Sequence, residues 1–229
     1  MSSMSRSAYA LRRPVAALFG AVLALVLSAA SFTAYAQPAA MQEGKQYVRL
    51  KNAVPVETGN KIEVIEFFSY GCPHCADLEP IIENWAKTLP PDVQFRRVPV
   101  LFQPRWVTLG KEYYTLEALG VDQRLNGEVF NAIHKQGTDL SNEKTFLDWV
   151  ATKGVDRKKA EDMMNSFGIN GKVNRAKSQA AAYNIQSVPT VVIDGKFVTA
   201  SDKVGSHSNL PAAINALVDK ARAERGGKH

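Results

Sequence analysis

The sequence predicts a mixed α/β fold with an all-helical segment inserted into it. Residues 62–68 form a nearly continuous apolar run with β-branched and aromatic side chains, followed by a helical repeat and by a second strand over 93–101. Residues 104–183 show only helical patterns, and strand patterns return at 190–199. Because short connections join the first strand, the helix and the second strand, the two strands are expected to be parallel.

The composition excludes several classes of protein. Of the 229 residues, 45% are hydrophobic and 22% are charged, which allows a packed core and excludes a disordered, collagen-like or coiled-coil chain. Only 2 residues are cysteine, so neither a scaffold with several disulfides nor a four-cysteine zinc site is possible. The formal net charge of +6 would favour a nucleic-acid partner if all of it belonged to the folded domain.

Residues 1–36 are predicted to be a secretory signal peptide. Three arginines and no acidic residue stand in residues 1–13, before an apolar run over 15–27 and an Ala-x-Ala sequence that ends at Ala36. Cleavage there leaves 25 basic residues (28 minus 3) against 22 acidic ones, a net charge of +3, so we expect no nucleic-acid partner. The alternative is an uncleaved membrane anchor. In either case we expect an exported domain in a compartment that permits disulfides.

The first elements of the mature chain each have a local signal. A short strand is predicted at 46–50, and the run 62–68 is apolar enough to be covered on both faces. The helix that follows has Pro73 in its first turn, where a missing N–H group costs nothing. Pro80 lies inside the same helix and should kink it, and Pro90 follows its end.

The helical segment and the last strands are marked by caps and turns. Five helices are predicted within 104–183: one is opened by Ser141 and closed by Gly154, the next is opened by Asp156, and the last covers 173–183. Asp194-Gly195 between two short apolar runs predicts a β-hairpin, and a final helix follows it.

Both cysteines lie in one tetrapeptide, Cys72-Pro73-His74-Cys75, where a buried strand becomes a helix. This spacing brings the two sulfurs within reach of one disulfide. Cys72 faces the unpaired N–H groups at the helix start, which stabilise a thiolate, and His74 adds positive charge or a hydrogen bond. Cys75 lies one turn deeper. Since a stable thiolate stabilises the reduced state, the disulfide is expected to be oxidising.

Three other interpretations of this tetrapeptide are possible. A purely structural disulfide would stabilise little, because a four-residue loop constrains the unfolded chain weakly. A metal site would combine the two thiolates with His74 or a distant histidine, and we expect neither a metal nor another cofactor. Haem attachment is excluded because Ala76 follows the second cysteine. His134 and His207 are expected to have no role.

Glu66 is unusual because it places a carboxylate inside the buried strand. Strand alternation puts it on the face of Val64 and Phe68, where little water is expected. Arg97 on the next strand is a possible ionic partner. One interpretation of Glu66 is therefore a structural glutamate held by a salt bridge.

Three features together resemble the DsbA family, the periplasmic thiol:disulfide oxidoreductases of the thioredoxin superfamily. They are the sequence Phe67 to Cys75, the sequence Ser187-Val188-Pro189-Thr190, and the helical segment between them. The resemblance covers roughly residues 43–225. It implies a thioredoxin domain formed by residues 37–103 and 184–229, with residues 104–183 as an inserted all-helical domain.

The resemblance also implies roles for individual residues. Cys72 would be the nucleophile and Cys75 the resolving thiol. Pro189 would be a cis-proline facing the disulfide, with the Val188 backbone available to a substrate peptide; the alternative is a trans proline that merely starts a strand. Glu66 would help to move the proton of Cys75.

The implied function is a monomeric periplasmic oxidase that introduces disulfide bonds into reduced, unfolded exported proteins. An inner-membrane, quinone-linked partner of the DsbB type would reoxidise it. One rival is a reductant or isomerase, although isomerases of this superfamily carry a dimerisation domain for which the chain has no spare residues. The other rival is a peptide-binding chaperone or adaptor with a structural disulfide.

Overall fold

A computed structural model describes residues 41–226, so the predicted signal peptide lies outside the described residues. The strands are β1 (Val48–Arg49), β2 (Ile62–Phe68), β3 (Val93–Pro99), β4 (Thr190–Ile193) and β5 (Phe197–Thr199). The helices are α1 (Pro73–Ala86), α2 (Pro104–Ala118), α3 (Asp122–His134), α4 (Glu143–Thr152), α5 (Arg157–Met164), α6 (Phe167–Ala182) and α7 (Leu210–Gly226), with a 3-10 turn at His207–Asn209. Among these helices, none has the length and apolar character that a membrane span requires.

The five strands form one mixed sheet in the order β1-β5-β4-β2-β3. The pair β2 and β3 is parallel, as predicted, and Glu66 lies directly opposite Arg97 in its register. The pairs β2–β4, β4–β5 and β1–β5 are antiparallel. Helices α2 to α6 all fall between β3 and β4 along the chain.

The strand β2 is buried along its whole length and pairs with β3 on one side and β4 on the other. All of its residues are buried, which confirms the prediction from its apolar run. The sheet separates two apolar clusters: Val64 packs in the cluster that includes α1 and α7, whereas Ile65 packs in the cluster that includes α2 to α6. Both cysteines belong to the second cluster. The start of α1 therefore contacts the helical segment as well as the sheet.

Two predicted helix starts were wrong. Helix α4 is opened by Asn142, not Ser141, because the Asn142 side chain accepts a hydrogen bond from the Thr145 N–H at 3.0 Å. Helix α6 begins at Phe167, well before the predicted Val173, because Ser166 caps it. The buried residues Ile169, Val173 and Ala176 of α6 follow a helical repeat, and the prediction omitted the first of them. The predicted cap of α5 at Asp156 is confirmed.

The predicted hairpin between β4 and β5 is also confirmed, since both residues of its turn have positive φ. The φ angle is 54° at Asp194 and 63° at Gly195, as the tight turns of hairpins require. The Gly195 carbonyl accepts a hydrogen bond from the Val54 N–H at 2.9 Å. A Cβ atom on Gly195 would lie 1.9 Å from the Val54 carbonyl oxygen. Only glycine fits this turn without moving the neighbouring backbone.

We therefore expect Gly195→Ala to lower the free energy of unfolding by about 2–3 kcal/mol, because it adds a strained φ angle and displaces Val54. Urea unfolding of the oxidised protein measures this change. The matched control is Gly127→Ala on the exposed side of α3, where a Cβ atom meets nothing within 4 Å. The control should raise stability by about 0.5–1 kcal/mol. Equal effects of the two substitutions would contradict this account of the turn.

Candidate active site

Cys72 is the N-cap residue of α1 and is held by backbone hydrogen bonds. Its φ and ψ angles are −97° and 117°, and Pro73 occupies the first position of the helix, as predicted. The Cys72 N–H donates to the Ser69 carbonyl at 3.0 Å, and the Cys72 carbonyl accepts from the Ala76 N–H at 3.1 Å. Both cysteines are free thiols and both are buried, Cys72 at 6% exposure and Cys75 at 0%.

The two thiols have opposite proton affinities. A hydrogen bond from the Cys75 side chain lowers the pKa of Cys72 to about 6, helped by the N–H groups of Cys75 and His74 and by the charge of His74. Burial raises the pKa of Cys75 strongly, and the nearby Cys72 and Glu66 raise it further. At neutral pH Cys72 is therefore ionised while Cys75 keeps its proton.

The loop before β4 forms the opposite wall of the site. The peptide bond between Val188 and Pro189 is cis, as predicted. The Cys72 sulfur lies 3.6 Å from the Val188 carbonyl oxygen, which accepts a hydrogen bond from it when the thiol is protonated. A cavity of about 360 Å³ lies beside this contact, lined by His74, by residues 187–189 and by residues of the loop 201–207. The reactive sulfur thus lies at the edge of an open groove.

A buried charge network lies around Glu66. The Arg97 Nε donates to Glu66 at 3.0 Å, so the predicted pair forms. The Arg97 Nη2 also donates to Glu79 at 3.0 Å and to Glu83 at 3.4 Å. One guanidinium therefore faces three carboxylates, of which Glu66 and Glu79 are almost fully buried.

Burial favours the protonated form of the carboxyl groups in this network. It raises the pKa of Glu66, and Arg97 opposes the shift. It also raises the pKa of Glu79 to about 7, again against the opposing charge of Arg97. Because the charge of Glu66 raises the pKa of Cys75, the network and the buried thiol compete for protons.

The helical segment holds the turn before Cys72 from the other side. The Tyr70 hydroxyl donates to the Asn126 side chain, and the Nε2 N–H of His134 donates to the Tyr70 carbonyl at 2.7 Å. A Cβ atom on Gly71 would lie 2.5 Å from the Trp106 side chain, so a glycine is needed under that indole. These contacts fix the turn that carries Cys72.

Several of these neighbours were not predicted. Glu79 follows Cys75 by four residues, so helical spacing could have placed both on one buried face of α1. Asn126 and His134 reach the turn only through tertiary packing, and His134 was expected to have no role. Nothing in the local sequence signals their contacts with Tyr70.

A dithiol with one ionised sulfur and one protonated, buried sulfur exchanges readily with the disulfides of other proteins. Combined with the mixed sheet, the helix that starts at Cys72 and the cis-proline opposite, this chemistry defines a thiol:disulfide oxidoreductase of the thioredoxin type.

Comparison with known proteins specifies the family. Residues 63–208 match the DSBA-like thioredoxin domain. The thiol:disulfide interchange protein DsbA of Pseudomonas aeruginosa is 40% identical over 200 residues, covering 87% of this chain and 95% of that protein. The DsbA of Burkholderia cepacia is 39% identical over 204 residues, covering 89% and 96%. The chain belongs to the DsbA family.

Solved structures agree with this assignment. The crystal structure of Pseudomonas aeruginosa DsbA matches with a TM-score of 0.79 and 40% identity, covering 81% of this chain and 97% of that chain. DsbA from Xylella fastidiosa matches with a TM-score of 0.75 and 26% identity, covering 80% and 98%. The predicted thioredoxin fold with an inserted all-helical domain is thereby confirmed.

The hydrogen bond from Cys75 should control the ionisation of Cys72. In the reduced protein, the rate of Cys72 alkylation by iodoacetamide should rise with a midpoint near the pKa of about 6. Cys75→Ala removes the largest stabilising contact, so the midpoint should move up toward the ordinary value of 9.0. Cys75→Ser keeps an O–H donor and should shift the midpoint less. An unchanged midpoint in Cys75→Ala would contradict this assignment.

The excess of carboxylates around Arg97 should cost stability at high pH. A carboxyl group whose pKa rises on folding from 4.5 to about 7 favours the folded state only when protonated, so stability is lost as pH rises through this range. Glu79→Gln should therefore be more stable than the wild type at pH 8, by about 2–3 kcal/mol, with the gain vanishing near pH 4.5.

Urea unfolding of the oxidised proteins at several pH values measures this difference without titration of the thiols. Glu83→Gln is the matched control, because the Glu83 side chain is 26% exposed and should show a smaller effect. A Glu79→Gln protein that is less stable than the wild type at pH 8 would contradict this account, because it would show that Arg97 needs the Glu79 carboxylate.

Proposed function

We propose that this protein is a dithiol oxidase of the periplasm that donates the Cys72–Cys75 disulfide to reduced, unfolded exported proteins. The observation that carries this proposal is the lowered pKa of Cys72 beside the protonated Cys75. A stabilised thiolate stabilises the dithiol form, so the disulfide form releases its oxidising equivalents readily.

In the first step, a thiolate of the substrate protein attacks the Cys72 sulfur of the disulfide. The bond between Cys72 and Cys75 breaks, and a mixed disulfide between the substrate and Cys72 forms. Cys75 leaves with the electron pair and takes up a proton, in keeping with its raised pKa. Glu66 is the proposed source of this proton, because it lies close enough to raise that pKa.

In the second step, another thiolate of the substrate attacks the substrate's own sulfur in the mixed disulfide. A disulfide forms within the substrate, and Cys72 leaves as a thiolate. The lowered pKa of Cys72 makes it a good leaving group. Two electrons have then passed from the substrate to the Cys72–Cys75 pair.

The loop 187–189 is the proposed contact for the substrate backbone. The Val188 carbonyl lies next to Cys72 and is half-buried, so an extended peptide can place an N–H group against it. Pro189 offers no N–H group of its own, and His74 borders the same cavity. This arrangement selects for an unfolded chain segment, because a folded surface presents few free backbone groups.

The proposed cellular setting rests on the sequence and on the family. Removal of the predicted signal peptide, residues 1–36, would release the protein into the periplasm as a monomer. There the reduced pair must pass its two electrons on, and a quinone-linked membrane partner of the DsbB type is the proposed acceptor. We assign residues 37–103 and 184–229 to the thioredoxin domain, and residues 104–183 to the inserted helical domain.

The redox equilibrium of the cysteine pair tests this proposal. The purified protein is equilibrated in glutathione buffers and its thiols are trapped by alkylation. An oxidase should stay largely reduced in a buffer poised at about −180 mV, because its dithiol is stabilised. A pair that is oxidised near −270 mV would mean that the protein delivers electrons instead.

A second assay separates catalysis from binding. Oxidative folding of a reduced, unfolded protein should be lost both in Cys72→Ser and in Cys75→Ser, because either substitution removes the disulfide that accepts the two electrons of the substrate. A Cys72→Ser protein that keeps full activity would instead support the chaperone or adaptor alternative, in which the disulfide is only structural.

A further inference from the structure

We propose that this protein binds one divalent transition-metal ion of the zinc type through His74, Asp77 and His207, beside the redox site. The ligand atoms that these three side chains offer all lie within 4.8 Å of one another. The cluster does not involve the thiols, so it differs from the thiolate site that was weighed from the sequence. It also goes beyond the proposed oxidase function.

The backbone places the three side chains together. His74 and Asp77 are three residues apart in the first turn of α1, and this spacing puts them on one face of the helix. His207 begins the 3-10 turn that follows the loop 201–206, and Ser206 caps that turn by accepting from the Asn209 N–H at 3.3 Å. The imidazole rings of His74 and His207 have their centroids 6.3 Å apart.

A neighbouring hydroxyl orients His207 as a ligand. The Nδ1 of His207 lies 2.7 Å from the Oγ of Ser201, a residue that is 8% exposed. When Nδ1 donates this hydrogen bond, Nε2 is left with a free lone pair, as in most histidines that bind metals. Such an outer contact fixes both the tautomer and the ring orientation.

The other two ligands are free to adjust. Within residues 41–226, neither the His74 imidazole nor the Asp77 carboxylate is engaged by a hydrogen bond or a salt bridge, and both side chains are exposed. In a tetrahedral zinc site the ligand atoms are about 3.3 Å apart, given metal–ligand bonds of about 2.0–2.1 Å. Rotation of the two exposed side chains can close the remaining distance.

The donor set selects the type of ion. Two imidazoles and one carboxylate form the three-ligand set of open zinc sites, in which the fourth position is left to water or another molecule. Calcium and magnesium prefer oxygen ligands and would gain little from two nitrogens. Because His74 and His207 also line the cavity next to Val188 and Pro189, a bound ion would occupy part of the proposed substrate groove.

Calorimetric titration with Zn²⁺ tests this site. The protein is used without a histidine tag and in its oxidised form, so that no thiolate can bind the metal. We expect one equivalent of Zn²⁺ to bind. The Kd should be at least 10-fold higher in His207→Ala and in Asp77→Asn, and about 10-fold higher in Ser201→Ala. Because binding is measured without turnover, its outcome is independent of the proposed oxidase activity.

Two matched variants complete the design. Asp219→Asn removes an exposed carboxylate far from the cluster, and Asp202→Asn removes a carboxylate that lines the same cavity but is not part of the cluster. Both should bind Zn²⁺ as the wild type does. Equal affinity in Asp77→Asn and the wild type, or no binding up to about 1 mM Zn²⁺, would overturn the proposal. Asp77 is exposed, so its substitution keeps the test valid even if His207→Ala unfolds.

Discussion

The hydrogen bond from Cys75 to Cys72 is the interaction on which the active site depends. Burial keeps the proton on Cys75 while Cys72 ionises, so Cys75 can donate this hydrogen bond to the Cys72 sulfur. Cys75 is buried because α1 packs against both the sheet and the helical segment. The reactivity of Cys72 is therefore a consequence of how its partner is packed, more than of the exposed His74 beside it.

The buried charges follow from the same packing. Arg97 can stay ionised inside the protein because three carboxylates surround it, but these carboxylates cannot all be ionised at low cost. Burial raises the pKa of both Glu66 and Glu79, so each holds a proton more readily than an exposed carboxyl group does. Cys75 must gain a proton when the disulfide opens. Buried carboxyl groups with raised pKa values can hold such a proton.

Local sequence patterns predicted those parts of the molecule that local forces decide. The buried strand β2, the start of α1 at Cys72 and the hairpin at Asp194-Gly195 depend on neighbouring residues, so their signals are visible in the chain. The predicted start of α6 was too late, because Ser166 caps the helix before Ile169, the first buried residue of its apolar repeat. His207 lies near His74 because a loop that is distant in the chain packs against α1. No local sequence pattern encodes this packing.

The helical segment also helps to position the turn that precedes Cys72. Its residues Asn126, His134 and Trp106 contact the turn 69–71 directly, so they determine where Cys72 can lie relative to the Val188 carbonyl. A turn held from one side only would let the sulfur move, and a hydrogen bond between thiols weakens steeply with distance and angle. Because the pKa of Cys72 depends on that bond, the contacts from the helical segment help to stabilise the Cys72 thiolate.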